Sequence, residues 1–452
     1  MNRVNVVGGA CLACAVMSTL PAHAETAASK QALAGGFFEE DSLTFSTRNW
    51  YAREAAKNSS AFAIRKDWGV ERTHDRNTWV QGSILKYSSG YTQGQVGFGL
   101  DVAAFNALAL ESGKGAVAGG RNRTLTEDDG DVVANWSKVG IADIRMRVSN
   151  TELKAGRFNV RNPVMSFSDT RALPATYEGF ALTSEEFRNL YIQVGSFDRA
   201  SPRVGAGSEK LRTQYTLADI TSDRVSFAGF DYKPWAGGQY SAWYSNLEDI
   251  WDRYYLGASQ EFGDGPLRHR LAANYYFTED SGSAKGGPID NHAYSLAFTS
   301  MYQGHSVTLA WQQIDGDEYF DYVRDSNAIN LANALVSEYN GPNEKSLRLT
   351  YGYDWTTQGV PGLTTTVWYA KGWDIDGTHY RGGAGGLYAF GLGQKDLDHH
   401  EVAGMLSYAV QSGPIKGANF TAGYVQHRAS QNQGDGSFNE LRIVSNFPFK
   451  LF

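Results

Sequence analysis

Residues 140–158 read GIADIRMRVSNTELKAGRF, and Asp143, Arg145 and Arg147 alternate with Ala142, Ile144, Met146 and Val148. A period of two makes a β-strand with one wet face and one apolar face. The pattern returns in SLRLTYGYDW, where Leu347, Leu349, Tyr351, Tyr353 and Trp355 oppose Ser346, Arg348, Thr350, Gly352 and Asp354. Residues 95–104 set Val96, Phe98, Leu100 and Val102 against Gln95, Gly97, Gly99 and Asp101. Residues 440–447 do so less cleanly, with Leu441, Ile443, Ser445 and Phe447 against Glu440, Arg442, Val444 and Asn446.

Two sizes of connection separate such stretches. Tight Gly/Pro turns lie at residues 236–238, 263–266, 303–304, 359–362 and 412–414, and longer polar segments at 278–291, 315–345 and 374–398. Short turn, strand, long loop, strand is the rhythm of an up-and-down barrel. The pattern predicts strands at 42–53, 77–88, 93–108, 135–149, 151–158, 177–186, 189–199, 223–233, 239–247, 251–262, 267–278, 291–302, 305–314, 346–357, 363–372, 399–410, 418–429 and 438–450. The count is eighteen, and an even number leaves both chain ends on one side. The stretch 156–180 is too long and irregular for a strand. It is either an inward-folded segment that narrows a pore or an ordinary surface loop.

Composition narrows the class. Hydrophobic residues make up 42%, aromatics 13%, and glycines number 50 among 452 residues. Such a mix favours short strands and turns. Beyond the N-terminus no run of 18 apolar residues occurs, which excludes a helical span and leaves a soluble all-β protein or a membrane barrel. Residues 1–24 have a basic start at Arg3, an apolar run at 6–17 and Ala22-His23-Ala24 at the end, which reads as a cleaved secretory signal followed by one barrel domain, 25–452. A lipoprotein signal at Cys14 is the rival reading, against a poor lipobox. Cys11 and Cys14 are the only cysteines, so residues 25–452 contain no disulfide. The net charge of −7 argues against a nucleic-acid binder.

If the apolar face meets lipid, the charged face meets water. An Arg or Lys in mid-bilayer hydrocarbon costs about 2–4 kcal/mol, so the cations line the lumen. Parity places Arg145, Arg147, Arg348, Arg442, Lys154 and Arg48 inward and leaves Lys371 open, because WYAKG admits a bulge. Each inward arginine is either half of a structural pair, with Asp143 at hand for Arg145 and Arg147, or part of a row that eases anions through a narrow passage. Guanidinium groups match carboxylates, so the row implies a carboxylate solute. Two other classes compete: a barrel enzyme and a secreted soluble β-protein that binds carbohydrate. No GxSxG or HExxH stretch occurs, and His399 and His400, adjacent in a strand, face opposite ways and cannot share a metal.

The order of several stretches gives the chain a family resemblance: GFFEEDSLTFSTRNWY, GYTQGQVGFGLDV, SNTELKAGRF, NPVMSFSDTRALPATYEGF, WYSNLEDIWDRYYLG, GDEYFDYVRDSNAIN, YNGPNEKSLRLTYGYD, VPGLTTTVWYAKGWDIDGT and AVQSGPIKG. Over nearly its whole length the chain resembles the OprD-type porins, substrate-specific outer-membrane channels. The resemblance implies a monomeric, all-β, 18-stranded transmembrane barrel in the bacterial outer membrane, with an inward third loop and a basic ladder on one wall. Carried over, the ladder comprises Arg48, Arg145, Arg147, Lys154, Arg348, Lys371, Arg428 and Arg442. The constriction draws on Ser166, Ser168, Asp169 and Arg171, with Asp321, Tyr322 and Asp325 from a later loop. The implied partners are small carboxylate solutes such as amino acids or aromatic acids, with outer-membrane lipid and lipopolysaccharide around the wall. Neither catalysis, a cofactor nor a metal is implied. Trp368, Thr421 and Gly423 stand where relatives tend to carry arginine, so the ladder is thinner here, and the first loop, 55–77, is extended.

Overall fold

The computed structural model describes residues 28–66, 69–112, 125, 132–215 and 220–452. The leader at residues 1–24 lies outside the described residues. Eighteen antiparallel strands close one barrel. In chain order they are β1 (Ser42–Ala56), β2 (Asp75–Ser88), β3 (Val96–Ala109), β4 (Asn135–Val148), β5 (Thr151–Phe158), β6 (Thr176–Ser184), β7 (Leu190–Ser201), β8 (Val225–Tyr232), β9 (Gly238–Leu247), β10 (Trp251–Phe262), β11 (Leu267–Asp280), β12 (Asp290–Tyr302), β13 (His305–Asp315), β14 (Lys345–Asp354), β15 (Leu363–Ile375), β16 (Leu397–Ala409), β17 (Asn419–Ala429) and β18 (Phe438–Lys450). Each strand pairs with its sequence neighbours, and β1 pairs with β18, for instance Trp50 opposite Val444. The ladder therefore has no open edge, which is the condition for a sheet in lipid. Every predicted strand is present. A short hairpin, Phe62–Lys66 with Gly69–Thr73, adds to the first loop.

Alternation sets the two faces. On β4, Ile144 is 68% exposed while Asp143 is 5% exposed, and the outward rows elsewhere carry Leu256, Leu309, Leu349 and Val402. So broad an exposed apolar surface is a lipid face. The phase changes within β4, where Gly140 is skipped in the register: Ala103 opposes Ile141 and Ala104 opposes Val139. This bulge turns Ile141 inward. A Cβ on Gly140 would lie 2.3 Å from the Phe105 ring, so only glycine fits there.

The lumen is partly filled by chain rather than water. Residues 158–177, 197–211, 314–331 and 380–388 pack against the β5–β13 wall in one large cluster that includes Met165, Tyr177, Phe197, Tyr276, Phe320 and Tyr322. A smaller cluster joins Trp50, Val80, Phe105 and Ile141 on the opposite wall to Ala172 and Leu173. The third long loop, residues 159–175, contributes to both clusters and so crosses the barrel. Gly82 on β2 lets it dock, because a Cβ there would sit 2.3 Å from the Ala172 carbonyl oxygen.

Candidate functional site

The crossing loop divides the lumen. Toward the long-loop rim is a cavity of about 690 Å³ lined in part by Glu54, Arg72, Arg76, Arg171 and Asp435. Toward the short-turn rim is one of about 290 Å³ lined in part by Arg48, Asp169, Ala172, Pro174 and Asn446. Residues 169–174 form the neck between them.

At this neck Arg48 grips Asp169 with both prongs, Nη1 to Oδ1 at 2.6 Å and Nη2 to Oδ2 at 3.0 Å. It also donates to the Arg171 carbonyl at 2.6 Å and to Asn446 Oδ1. The Arg171 and Arg442 guanidinium groups each lie 5.6 Å from the Trp50 ring, where its π-face attracts cations. Arg442 also donates to Glu440 at 2.6 Å, and Arg76 holds Glu54 at 2.6 Å.

Lower on the wall, β2 to β5 bring Lys86, Arg145, Arg147 and Lys154 to one inward face with Asp101 and Asp143. Arg145 pairs with Asp101 at 3.4 Å, not with the Asp143 next to it on its own strand. Lys154 bridges Asp101 at 3.3 Å and Asp143 at 3.8 Å. Side chains two apart on a strand point in parallel, so a cross-strand partner is nearer than a same-strand one. The Arg147 and Arg145 guanidinium groups lie 3.7 and 4.7 Å from the Tyr91 ring, and Tyr91 donates its hydroxyl hydrogen to Glu152. Arg147 also reaches Gln31 of the N-terminal segment at 3.1 Å.

Arg348 points inward on β14 beside Ser346 and Thr350 and meets no carboxylate within salt-bridge distance among the described residues. The nearby carboxylate, Glu401, is occupied. It accepts from Trp368 Nε1 at 2.6 Å and from the Ser337 backbone N–H at 3.1 Å. Trp368 thus helps hold Glu401, the acid whose field reaches Arg348, in place on the wall.

Two expected ladder members stand on the other face. Gly372, His399 and His427 point inward, so Lys371, His400 and Arg428, one residue out of phase, point outward. The irregularity near WYAKG begins only after Gly372, too late to turn Lys371. The expected inward place of Arg428 rested on the family resemblance alone.

The constriction residues divide by role. Ser168 is pinned by its backbone N–H to the Asp325 carbonyl at 2.9 Å and by its hydroxyl, which accepts from Arg203 at 2.7 Å. Arg203 also pairs with Asp325 at 2.7 Å, and the Ser166 carbonyl accepts from Asn327 N–H at 3.0 Å. Asp321 is enclosed and accepts backbone N–H bonds from Gln214, Tyr215 and Tyr322. Tyr322 donates to Glu338 at 2.5 Å. Burial holds the Asp321 and Glu338 carboxyls above the usual range. Asp321, Tyr322 and Asp325 therefore brace the neck from behind, whereas Asp169 and Arg171 face the cavities.

Arg203, Arg76, Lys86 and Trp50 were not anticipated. Lys86 belongs to a strand whose inward row includes Val80 and Ile84, which cover the crossing loop, while Gln81 and Ser83 lie on the other face, so the sequence shows no clean apolar and charged rows there. Arg203 lies in a loop, where periodicity gives no signal.

His399, His427 and Asp435 present ligand atoms within 4.8 Å of one another. The ring nitrogens are already engaged: His399 with His427 at 2.8 Å and Glu344 at 2.6 Å, and His427 with the Gly436 carbonyl at 2.6 Å. The group ties loops to the wall. His400 points away from it, as strand geometry requires.

Comparison with known proteins agrees with this architecture. Residues 35–451 match the family model described as outer membrane porin, OprD family. Porin D of Pseudomonas aeruginosa is 34% identical over 453 residues, covering 97% of this chain and 98% of its own. The crystal structure of Pseudomonas aeruginosa OccD3 (OpdP) superposes with a TM-score of 0.83 at 48% identity, over 94% of this chain and 95% of that one. That of Pseudomonas aeruginosa OpdK with vanillate gives 0.79 at 28% identity, over 92% and 100%. A closed 18-stranded barrel, a loop crossing its lumen and a match over almost the full length place the chain in the OprD family of outer-membrane porins, channels rather than enzymes.

Proposed function

We propose that this channel passes small carboxylate-bearing solutes, aromatic acids among them, along an inward cationic path. The path runs from the external cavity past Arg171, Arg442, Arg348 and Arg48 to Lys86, Lys154, Arg145 and Arg147 near the periplasmic mouth. One observation carries the reading: at the neck Arg48 already binds a carboxylate in two-pronged geometry. Asp169 occupies the position a solute carboxylate would take, so an entering anion can exchange with it at little electrostatic cost. The relative solved with vanillate, a benzoate, fits this chemistry. Because one chain closes its own barrel, a single copy suffices for the path.

Proteoliposomes give the test. Glucuronate should enter faster than glucose, its neutral counterpart that lipid likewise excludes, and Arg48→Gln should slow glucuronate by about three- to tenfold while sparing glucose, the size expected for one charge-assisted contact. Equal entry of the two solutes into wild-type vesicles would rule the proposal out. In planar bilayers under a salt gradient, Arg145→Gln with Arg147→Gln should shift the reversal potential toward cation preference. An unmoved potential would remove these two from the path.

A further inference from the structure

We propose that Lys371, His400 and Arg428 form a site on the outer wall for the phosphate groups of a phosphorylated lipid in the external leaflet. The three are direct cross-strand neighbours on β15, β16 and β17, Lys371 opposite His400 and His400 opposite Arg428. With strands about 4.8 Å apart, the row is about 10 Å wide, so one phosphate can be reached by two side chains at once. The inward neighbours fix the face. A Cβ on Gly372 would lie 2.1 Å from Glu344 Oε1 and 2.6 Å from His399 Nε2, both inside the barrel.

Depth selects the partner. Directly below the row the same outer face carries Tyr369, Val402 and Gln426, and Tyr424 follows one step lower; Tyr369, Val402 and Tyr424 are each more than 40% exposed. Tyrosines at such a level mark the boundary between hydrocarbon and headgroups. The row is therefore the first charged layer above the hydrocarbon, on the rim that carries the long external loops. Cations outnumber acids there, with Lys371 and Arg428 against Asp398 beside His400. Lys371 is exposed and meets no carboxylate within salt-bridge distance among the described residues. Arg428 spends Nη1 on the carbonyls of His427 at 2.8 Å and Phe438 at 3.0 Å, which holds the guanidinium against the wall. The carboxylate facing His400 is Asp398, which accepts from Ser430. Elsewhere on the outer rim an arginine carries its own counter-ion, Arg157 pairing with Glu178 at 2.6 Å. A positive surplus continuous with a lipid-facing band matches an anionic headgroup more closely than a soluble ligand. The inference rests on the barrel's place in the outer membrane and is independent of what the channel passes.

The experiment uses the full-length protein in detergent with lipid A, a bisphosphorylated acylated glucosamine disaccharide, and retained lipid is counted by native mass spectrometry. Wild type should keep lipid A and lose its dephosphorylated form. The double variant Lys371→Gln with Arg428→Gln should retain about tenfold less lipid A, and each single variant an intermediate amount. Millimolar inorganic phosphate should not displace the lipid. Heat-modifiable migration and reversal potential should match wild type in all variants, which separates loss of the site from loss of fold or of the pore. Equal retention by the double variant, equal retention of the dephosphorylated lipid, displacement by free phosphate, or a changed reversal potential would each overturn the proposal.

Discussion

Arg48 and Arg348 illustrate how much a side chain's meaning depends on its partner. Both point inward, yet Arg48 is bound to a loop carboxylate whereas Arg348 has none within salt-bridge distance among the described residues, the nearby Glu401 being held by Trp368 and a backbone N–H. Trp368→Phe should free Glu401 to pair with Arg348 and weaken anion preference in bilayer recordings. Glu318, in the external loop at 316–344, carries a second residue-level consequence. Burial pushes its carboxyl up to about 7 from 4.5, although it accepts the Asp290 backbone N–H at 2.8 Å. Between those values the folded chain holds a proton that the unfolded chain has released. Stability is therefore contributed at acid pH, falls as pH rises from about 4.5 to about 7, and is level above that. Hydrogen exchange across 316–344 should show protection dropping by at most about 3 kcal/mol over this window, and Glu318→Gln should flatten the slope.

The crossing loop is the element that makes a pore out of a wide cylinder. Its hold is lopsided: on one side Arg203, Asp325 and the Asn327 N–H grip residues 166–170, and on the other a glycine admits residues 172–173. Arg203→Ala leaves Asp325 buried without its cation, a change that costs about 3–5 kcal/mol when a pair is fully enclosed. Channel recordings of that variant should show larger and noisier openings at unchanged barrel migration on gels. Gly82→Val should act from the opposite side, pushing Ala172 away and raising conductance, with the double-arginine mouth untouched. Quiet, wild-type openings in both variants would mean the loop is held by packing alone.

At the scale of the molecule, closure dominates. The β1–β18 pairing runs from Thr44 opposite Lys450 to Ala56 opposite Phe438, so removal of residues 438–452 would leave two strand edges facing lipid. Each unpaired backbone group there costs several kcal/mol, and no folded, heat-modifiable species should form. By contrast, shortening the first external loop should leave closure intact, because its hairpin pairs only with itself. The interior is organised as a packed half and an open half. The large cluster lines β5–β13, and the cationic path follows the remaining wall.

Strand existence, strand number and the lipid face were legible along the chain because each is a local property: a period of two, a turn every dozen residues, and the high cost of charge in hydrocarbon. Inward placement of Arg145, Arg147, Arg348 and Arg442 followed from the same periodicity. Lys371 and Arg428 required coordinates, since a one-residue phase decides the face and the irregularity that could have shifted it falls only after Gly372. Which acid answers which base also required them: Asp101 rather than Asp143 meets Arg145, because partners are chosen across strands that lie far apart in sequence. By itself, then, the sequence determined a barrel in a membrane with a charged inside. The neck at Asp169, its brace of Arg203 and Asp325, and the outward basic row were decided by tertiary structure alone, for contacts between loops and walls leave no periodic trace in the chain.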